Sequence, residues 1–181
     1  TMLTLASMFN MRYLDRIERL RDRVPDLALS TDIIVGYPGE SAEEFEASLS
    51  LLREVEFDQV FSFIYSPRPG TDAAAEPDGV SDAEKADRLQ RLQELQRALQ
   101  HRKSRPLVGT EVEVLVDGIA RRGGTQLKGR TRTNRVVNFD GDPTWIGEFR
   151  QVRIESAGPH SLEGRAVPPG ALDLPRSAGY K

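Results

Sequence analysis

The spacing of apolar residues changes near the middle of the chain, from a helical period to strict alternation. Before the change, four apolar residues share one helical face, and Pro25 ends the run: Tyr13, Ile17, Leu20 and Val24. After Pro106, three valines alternate with polar residues, as in a strand with one buried face: Val112, Val114 and Val116. The pattern therefore predicts an α/β part followed by an all-β part.

A βαβ unit is predicted over residues 32–65. Residues 33–35 are consecutive β-branched residues, which is typical of a parallel strand buried on both faces. Ser41 and Glu44 have the spacing of a capping box, which predicts the start of a helix. Residues 59–66 read as a second buried strand. Because two parallel strands do not make a stable sheet alone, we expect neighbouring strands from outside this chain.

A loop and a long helix are predicted between the two parts. Residues 66–80 are rich in Pro, Gly, Ala and Asp, which favours a loop. Ser81 and Glu84 have the spacing of a second capping box, and the helix is predicted over 82–104. Four leucines lie along one side of it: Leu89, Leu92, Leu95 and Leu99. The cations at the end of this helix are explained by its dipole.

Short alternating runs separated by Gly, Pro and Asp predict a small antiparallel β-barrel of the OB-like kind over 107–168. The fold class is thus α/β plus all-β, joined by a long helix. The domain boundaries expected are 1–104 for the α/β part with its helix and 107–168 for the barrel. The tail, 169–181, is expected to be disordered.

Composition excludes several kinds of chemistry. The 181 residues contain no cysteine and two histidines, so disulfides, thiolate nucleophiles and iron–sulfur ligands are absent from this chain. No run of about 18 apolar residues is present, which argues against a membrane span. The first ten residues lack the basic start of a signal peptide. We therefore expect a cytoplasmic protein without a metal site of its own.

Positive charge is concentrated in one short segment, although the net charge of the chain is -3. Residues 121–135 contain no acid and six cations: Arg121, Arg122, Lys128, Arg130, Arg132 and Arg135. Thr131, Thr133 and Asn134 lie between them and are able to hydrogen-bond phosphate or base edges. The segment predicts an RNA-binding surface, with a solvated loop as the alternative. In an extended strand Arg130 and Arg132 would share one face, as would Lys128 and Asn134.

Three aromatic residues follow this basic segment: Phe139, Trp145 and Phe149. Trp145 is a candidate for stacking on a base, and packing in the core or at its rim is the alternative.

Three stretches carry a resemblance to a known family. These are "STDIIVGYPGES" (30–41), "FSFIYSPRPGTDAA" (61–74) and "GRTRTNRVVNF" (129–139). Together they resemble the radical-SAM methylthiotransferases, and the third stretch is similar to the MiaB-type tRNA enzymes of that family. The resemblance covers about residues 12–168, and the first ten residues do not share it.

The resemblance implies an architecture and an activity. The α/β part would be the end of a partial radical-SAM barrel, and the β-barrel would be a TRAM domain, which binds RNA. The family adds a methylthio group to isopentenyl-adenosine next to the tRNA anticodon, using S-adenosylmethionine and 4Fe-4S clusters. The cluster ligands lie in an amino-terminal half that this sequence lacks. We therefore expect a truncated product, inactive alone, whose partners are the tRNA anticodon region and the missing half.

Particular residues follow from the same resemblance. On the cofactor side the family has Gly-x-Ile-x-Gly; here Asp32 replaces the first glycine, while Ile34 and Gly36 match. Arg68 would face the cofactor carboxylate, a substrate phosphate or solvent. Five residues are the expected RNA contacts: Lys128, Arg130, Arg132, Asn134 and Arg135. No catalytic residue is expected in this chain.

Alternatives remain open at this point. Without the resemblance, the cofactor-side stretch is more typical of a buried strand followed by an ordinary Pro-Gly turn. The chain as a whole is alternatively a non-catalytic RNA-binding module or a fragment of a ribosomal-protein methylthiotransferase.

Overall fold

The computed structural model describes residues 5–120, 126–158 and 160–168. The chain divides into two compact units, Thr1–Lys103 and Ser104–Lys181. Arg121, Arg122 and the tail 169–181, about which the sequence made predictions, lie outside the described residues.

The first unit contains the predicted βαβ arrangement. Its elements are α1 (Leu5–Arg23), β1 (Ser30–Val35), α2 (Ala42–Val55), β2 (Gln59–Ile64), a 3₁₀ turn (Asp72–Ala75) and most of α3 (Asp82–Ser104). The strands pair in parallel, with Asp32 opposite Phe61 and Ile34 opposite Phe63. The prediction of an α/β part ending in a long helix is thus confirmed.

Local capping explains where the helices of this unit begin. Ser41 accepts a hydrogen bond from the backbone N–H of Glu44, and the Glu44 carboxylate accepts one from the backbone N–H of Ser41, so the predicted capping box is complete. At α3, Ser81 likewise accepts from the backbone of Glu84, at 3.2 Å. The Glu84 carboxylate, however, is hydrogen-bonded to Arg88.

The core of the first unit lies against one face of the two-stranded sheet. Its fully buried members come from several elements: Ile17, Val35, Phe45, Leu49, Leu52, Val55, Phe57, Leu92 and Leu99. The predictions that β1 is buried on both faces and that β2 is a second buried strand are wrong. Ile34 is 52% exposed and Phe63 53%, because the helices of the described chain cover only the opposite face, where Val35 packs.

The buried faces of α1 and α3 differ from those that their apolar spacing predicts. Of the four residues predicted to share the buried face of the first helix, only Ile17 is buried. Tyr13 and Leu20 are exposed, and so is Val24, which follows the end of α1 at Arg23. In α3 the four predicted leucines all lie at the core, Leu92 and Leu99 fully buried and Leu89 and Leu95 partly buried. Three polar residues of this helix are buried as well: Lys85, Arg88 and Gln96. The spacing of apolar residues therefore did not predict the whole buried face of either helix.

The second unit is a closed five-stranded barrel. Its strands are β3 (Glu111–Ile119), β4 (Gln126–Thr131), β5 (Val136–Asp140), β6 (Phe149–Ala157) and β7 (Leu162–Ala166), with 3₁₀ turns at Arg105–Leu107 and Pro143–Trp145. The order around the barrel is β3-β4-β5-β7-β6. The predicted barrel is confirmed, with one difference: β5 and β7 pair in parallel, because β7 is antiparallel to β6 and closes the barrel against β5.

Alternating residues of every strand fill the barrel. The fully buried core is Val114, Val116, Leu127, Val137, Phe139, Val152, Ile154 and Leu162. Gly129 of β4 belongs to this interior layer. A Cβ at Gly129 would lie 2.5 Å from the backbone oxygen of Leu115, so the glycine permits the close approach of β3 and β4.

Candidate functional site

The predicted basic segment lies on the β4–β5 hairpin, and we call Lys128, Arg130, Arg132 and Arg135 the cationic surface. β4 ends at Thr131, so Arg132 lies in the turn, and Asn134 adopts a left-handed conformation with φ of 61°. The expectations that Arg130 shares one strand face with Arg132, and Lys128 with Asn134, are therefore wrong, because the chain leaves the extended conformation after Thr131.

An acid from another strand joins this surface. Asp117 of β3 lies 3.2 Å from Lys128 Nζ and accepts a hydrogen bond from Arg130 Nε, also at 3.2 Å. β3 has an irregularity in its register with β4 between Val116 and Gly118, where Asp117 lies. The local sequence around the cations contains no acid, but the folded surface carries one. Lys128 and Arg130 are thus partly neutralised.

Arg130, Arg132 and Arg135 differ in their other hydrogen bonds. Arg130 also donates from Nη1 to Asn134 Oδ1 at 2.9 Å, which holds the guanidinium beside the turn. Arg135 donates from Nη1 to Ser104 Oγ at 2.7 Å. Arg132 is exposed, and its guanidinium has no hydrogen bond or ion pair among the described residues. Arg132 is consequently the cation most available to an anionic partner.

The three aromatic candidates occupy three different environments. Phe139 is fully buried in the barrel core. Trp145 packs against that core, and Arg150 stacks on its ring at 4.7 Å from the centroid. Phe149 is 60% exposed on β6. Of these rings, Phe149 is the one that faces solvent most.

The second predicted site lies at the carboxyl ends of β1 and β2. Gly36 has a φ of 68°, and its N–H donates to Glu40 Oε2 at 2.7 Å. Glu40 in turn pairs with Arg88 of α3, whose Nη1 lies 2.6 Å from the same oxygen. A Cβ at Gly36 would lie 2.3 Å from Lys85 Cγ, so the space beside this glycine is filled by the Lys85 stem.

Two cations of α3 are buried behind this turn. Lys85 pairs with Asp78, and Arg88 pairs with Glu40 and Glu84. Burial by itself would lower the pKa of Arg88, but its hydrogen bonds with the two glutamates raise that pKa above its ordinary value. The hydrogen bond from Lys85 lowers the pKa of Asp78. The turn is therefore tied to α3 by the ion pair between Glu40 and Arg88.

The other cofactor-side residues lie at the strand ends. Ile34 projects from the exposed face of the sheet, and Arg68 is exposed in the loop after β2. Next to them, the rings of Tyr37 and Tyr65 meet edge to face, with centroids 5.2 Å apart. The Tyr65 hydroxyl is buried and has no hydrogen-bond partner among the described residues. The carboxyl ends of β1 and β2 therefore carry both exposed apolar surface at Ile34 and a buried hydroxyl, that of Tyr65, without a hydrogen-bond partner among the described residues.

Sequence reasoning missed the acid and the buried cations of these sites. Asp117 follows Leu115 by two residues in an alternating strand, which predicts that both face outward, but alternation does not say which strand lies beside them. Lys85 and Arg88 are three residues apart on α3, a spacing that places them on one helix face. Neither pattern reveals a partner distant in sequence.

Within the described part of the chain, no cluster of three or more His, Cys, Asp or Glu residues is arranged to hold a metal ion. None of the described helices is long and apolar enough to cross a membrane.

Comparison with known proteins identifies the second unit first. Residues 105–167 match the TRAM domain family, and the closed barrel just described is the fold of this domain here. The chain thus contains a TRAM domain that follows a long helix and part of an α/β unit.

The chain as a whole is similar to a particular group of enzymes. It is 51% identical over 155 residues to the tRNA-2-methylthio-N(6)-dimethylallyladenosine synthase of Alkalilimnicola ehrlichii. The aligned residues make up 86% of this chain and 35% of that relative. The same-named protein of Halorhodospira halophila is 52% identical over 152 residues, covering 83% and 32%. That of Francisella tularensis subsp. novicida is 46% identical over 157 residues, covering 87% and 36%. The resemblance to the MiaB-type methylthiotransferases is confirmed, and the chain spans about a third of these relatives' length.

Proposed function

We propose that this chain is the carboxyl-terminal portion of a tRNA-2-methylthio-N6-isopentenyladenosine synthase, a transferase that adds a methylthio group to isopentenyl-adenosine next to the anticodon. The supporting observation is the extent of the similarity. Identity of 51% runs over 155 residues, more than either compact unit contains, so it includes both the α/β unit and the TRAM domain. Because its substrate is tRNA, the protein would act in the cytoplasm.

In this proposal the barrel binds the anticodon region of tRNA through the cationic surface and Asn134. Arg132 is exposed and contributes a full positive charge. Lys128 and Arg130 supply donors whose direction is set by Asp117. Neutralising phosphates with such side chains releases counterions, which supplies the sequence-independent part of RNA affinity. Arg135, bonded to Ser104, contributes from the turn end of the hairpin.

The cofactor of the proposed enzyme is S-adenosylmethionine, which with a reduced iron–sulfur cluster supplies radical chemistry. The exposed sheet face is suited to packing against the flat adenine of S-adenosylmethionine, because Ile34 lies opposite Phe63 and both are exposed. We assign Ile34 and Gly36 to the cofactor side and Arg68 to its carboxylate. The space beside Gly36 is filled by Lys85, so the glycine would act by shaping the turn. The chain has no cysteine, so the cluster does not fit any residue set here.

A further partner of this chain would be the amino-terminal half of the enzyme or its equivalent. Beyond the part assigned to the cofactor, the exposed apolar face of β1 and β2 includes Phe61, and burying the rest of this face would stabilise an assembly. The cluster ligands would come from that half. This chain by itself would therefore be inactive.

One other function has an observation in its favour. The absence of cysteine suits a non-catalytic RNA-binding module, which needs the barrel alone. A fragment of a ribosomal-protein methylthiotransferase has less support, since the three relatives described above are all named as tRNA enzymes.

The RNA-binding role is tested by fluorescence anisotropy of a tRNA anticodon stem-loop titrated with the full chain over a series of salt concentrations. Replacing Arg132 and Arg130 by Ala should weaken binding and reduce the slope of log affinity against log salt by about 1.5, since each lost phosphate contact removes about 0.7–0.9. The matched control is Arg165→Ala on β7, another exposed cation, which pairs with Glu155.

The result expected for Arg165→Ala is a slope close to that of the unmodified chain. If the change in slope per cation removed is the same in the double variant and in Arg165→Ala, binding depends on total charge and the cationic surface is not the RNA site. If the unmodified chain does not bind the stem-loop at low salt, the proposed RNA-binding function is wrong. Activity of the synthase is tested separately, by adding the chain to a preparation of the amino-terminal half.

A further inference from the structure

A row of side chains crosses the outer surface of the barrel next to the cationic surface. The strand registers place Leu115 of β3 opposite Phe149 of β6 on one side and opposite Arg130 of β4 on the other. Residues directly opposite each other in an antiparallel pair point to the same face, with Cβ atoms about 5 Å apart. Since Val114 and Val116 fill the interior, Leu115 and its two neighbours face outward.

The apolar members of this row are exposed to an extent that folding does not require. Phe149 is 60% exposed and Leu115 38%. Phe149 makes no ring–ring or cation–π contact with the described residues, whereas Trp145 is covered by Arg150. An exposed aromatic face next to an exposed leucine is a feature of binding surfaces.

The polar end of the row is held in place. Arg130 is bonded through Nε to Asp117 at 3.2 Å and through Nη1 to Asn134 at 2.9 Å. These two bonds fix a planar cationic group beside the apolar pair. Lys128 lies two residues away on the same strand face and pairs with the same Asp117. A flat apolar surface is thus bordered on one side by positive charge.

This combination suits one kind of occupant. An unstacked nucleotide has a flat base, which stacks on aromatic side chains, and a phosphate, which requires a cation nearby. A base in duplex RNA is already stacked and paired and does not present its face to a protein surface. An apolar protein partner would not need the cations at the edge.

We propose that Phe149, Leu115 and Arg130 form a platform on which one base of single-stranded RNA stacks, with the adjoining phosphate held by the cationic surface. The proposal rests on the proposed RNA-binding function and adds to it the form of RNA that is bound. The loop of an RNA hairpin presents bases in the required, splayed-out form.

The test compares three ligands of equal length: a single-stranded RNA, the same backbone with abasic positions, and a duplex. Phe149→Ala in the full chain should weaken binding of the single strand by about 5- to 150-fold, the range for losing one base–aromatic stack. Binding of the abasic strand and the duplex should be unchanged. Phe149→Trp should restore binding of the single strand.

The matched control is Ile119→Ala, which removes a 51% exposed apolar side chain at the carboxyl end of β3. This variant should alter none of the three affinities. Phe149 is on the surface, so the thermal unfolding temperature of its variants should stay close to that of the unmodified chain. Equal losses for the single strand and the abasic strand, or no loss for either, would overturn the platform while leaving the RNA-binding function intact. No binding of any ligand by the unmodified chain would overturn both.

Discussion

The carboxylate of Asp117 on β3 accepts a hydrogen bond from Arg130 on β4, at 3.2 Å from Nε. Thirteen residues separate the two in sequence, and the antiparallel register brings them together. The pairing reduces the positive charge of a segment that is purely basic in sequence. It also sets the direction of a side chain that we assign to RNA.

Replacing Asp117 by Asn should tighten RNA binding at low salt, because Lys128 and Arg130 no longer share their charge with a carboxylate. The slope of log affinity against log salt should steepen by up to about 1.5, corresponding to two additional phosphate contacts. Anisotropy titrations over a salt series measure both quantities. Glu155→Gln on β6 makes the same change in net charge away from this surface and should have a smaller effect. Weaker binding by the Asp117 variant would mean that orientation of the cations matters more than their charge.

Replacing Arg88 by Met should destabilise the first unit by about 3 kcal/mol, since Glu40 would be left buried without its cation. Arg88 is 4% exposed and Glu40 13%. Urea unfolding followed by circular dichroism gives the free energy of unfolding. Arg19→Met, which removes an exposed ion pair with Asp15 on α1, is the control and should cost less than about 1 kcal/mol. Similar losses in the two variants would show that the Arg88 pair contributes no more than a surface pair.

Two glycines in one turn should respond differently to substitution by alanine. Gly36 and Gly39 both have positive φ, 68° and 80°, so each variant should lose about 1–2 kcal/mol from backbone strain. At Gly36 the new Cβ would also lie 2.3 Å from Lys85 Cγ, whereas at Gly39 nothing lies within 4 Å. Gly36→Ala should therefore have the lower unfolding midpoint in urea. Equal midpoints would mean that the Lys85 side chain moves aside without cost.

The stability of the first unit should fall in acid partly through Asp78. Its pKa in the folded state is lowered from the ordinary value of 3.8, chiefly by the hydrogen bond from Lys85. A lowered folded-state pKa means that the stabilisation is complete above pH about 3.8 and is lost as the pH falls through the folded value. The measurement is the free energy of unfolding between pH 2.5 and about 6, the range that spans this change. Asp78→Asn should be less stable at the upper end and should lose less on acidification; an unchanged pH dependence would contradict the assignment.

Local patterns predicted those elements whose determinants lie close together in sequence. The capping box of Ser41 and Glu44 needs only residues three apart, and it forms as predicted. The alternation through Val112, Val114 and Val116 predicted a strand with one buried face, and Val114 and Val116 lie in the barrel core. The resemblance to tRNA methylthiotransferases likewise rests on short contiguous motifs, so the amino-acid order suffices to show it.

The tertiary structure decided which surfaces are neutral, covered or open. The run of β-branched residues at 33–35 does not distinguish a sheet covered on one face from a sheet covered on both. Here Ile34 is exposed because the described helices pack on the other face. From the sequence, Arg130 is expected to be a cation without an acidic neighbour. In the folded chain the register of β3 and β4 brings Asp117 beside it. Charge pairing and burial depend on neighbours far apart in sequence. Sequence by itself therefore determined the elements and the family resemblance, and the packing of those elements determined the chemistry of the exposed surfaces.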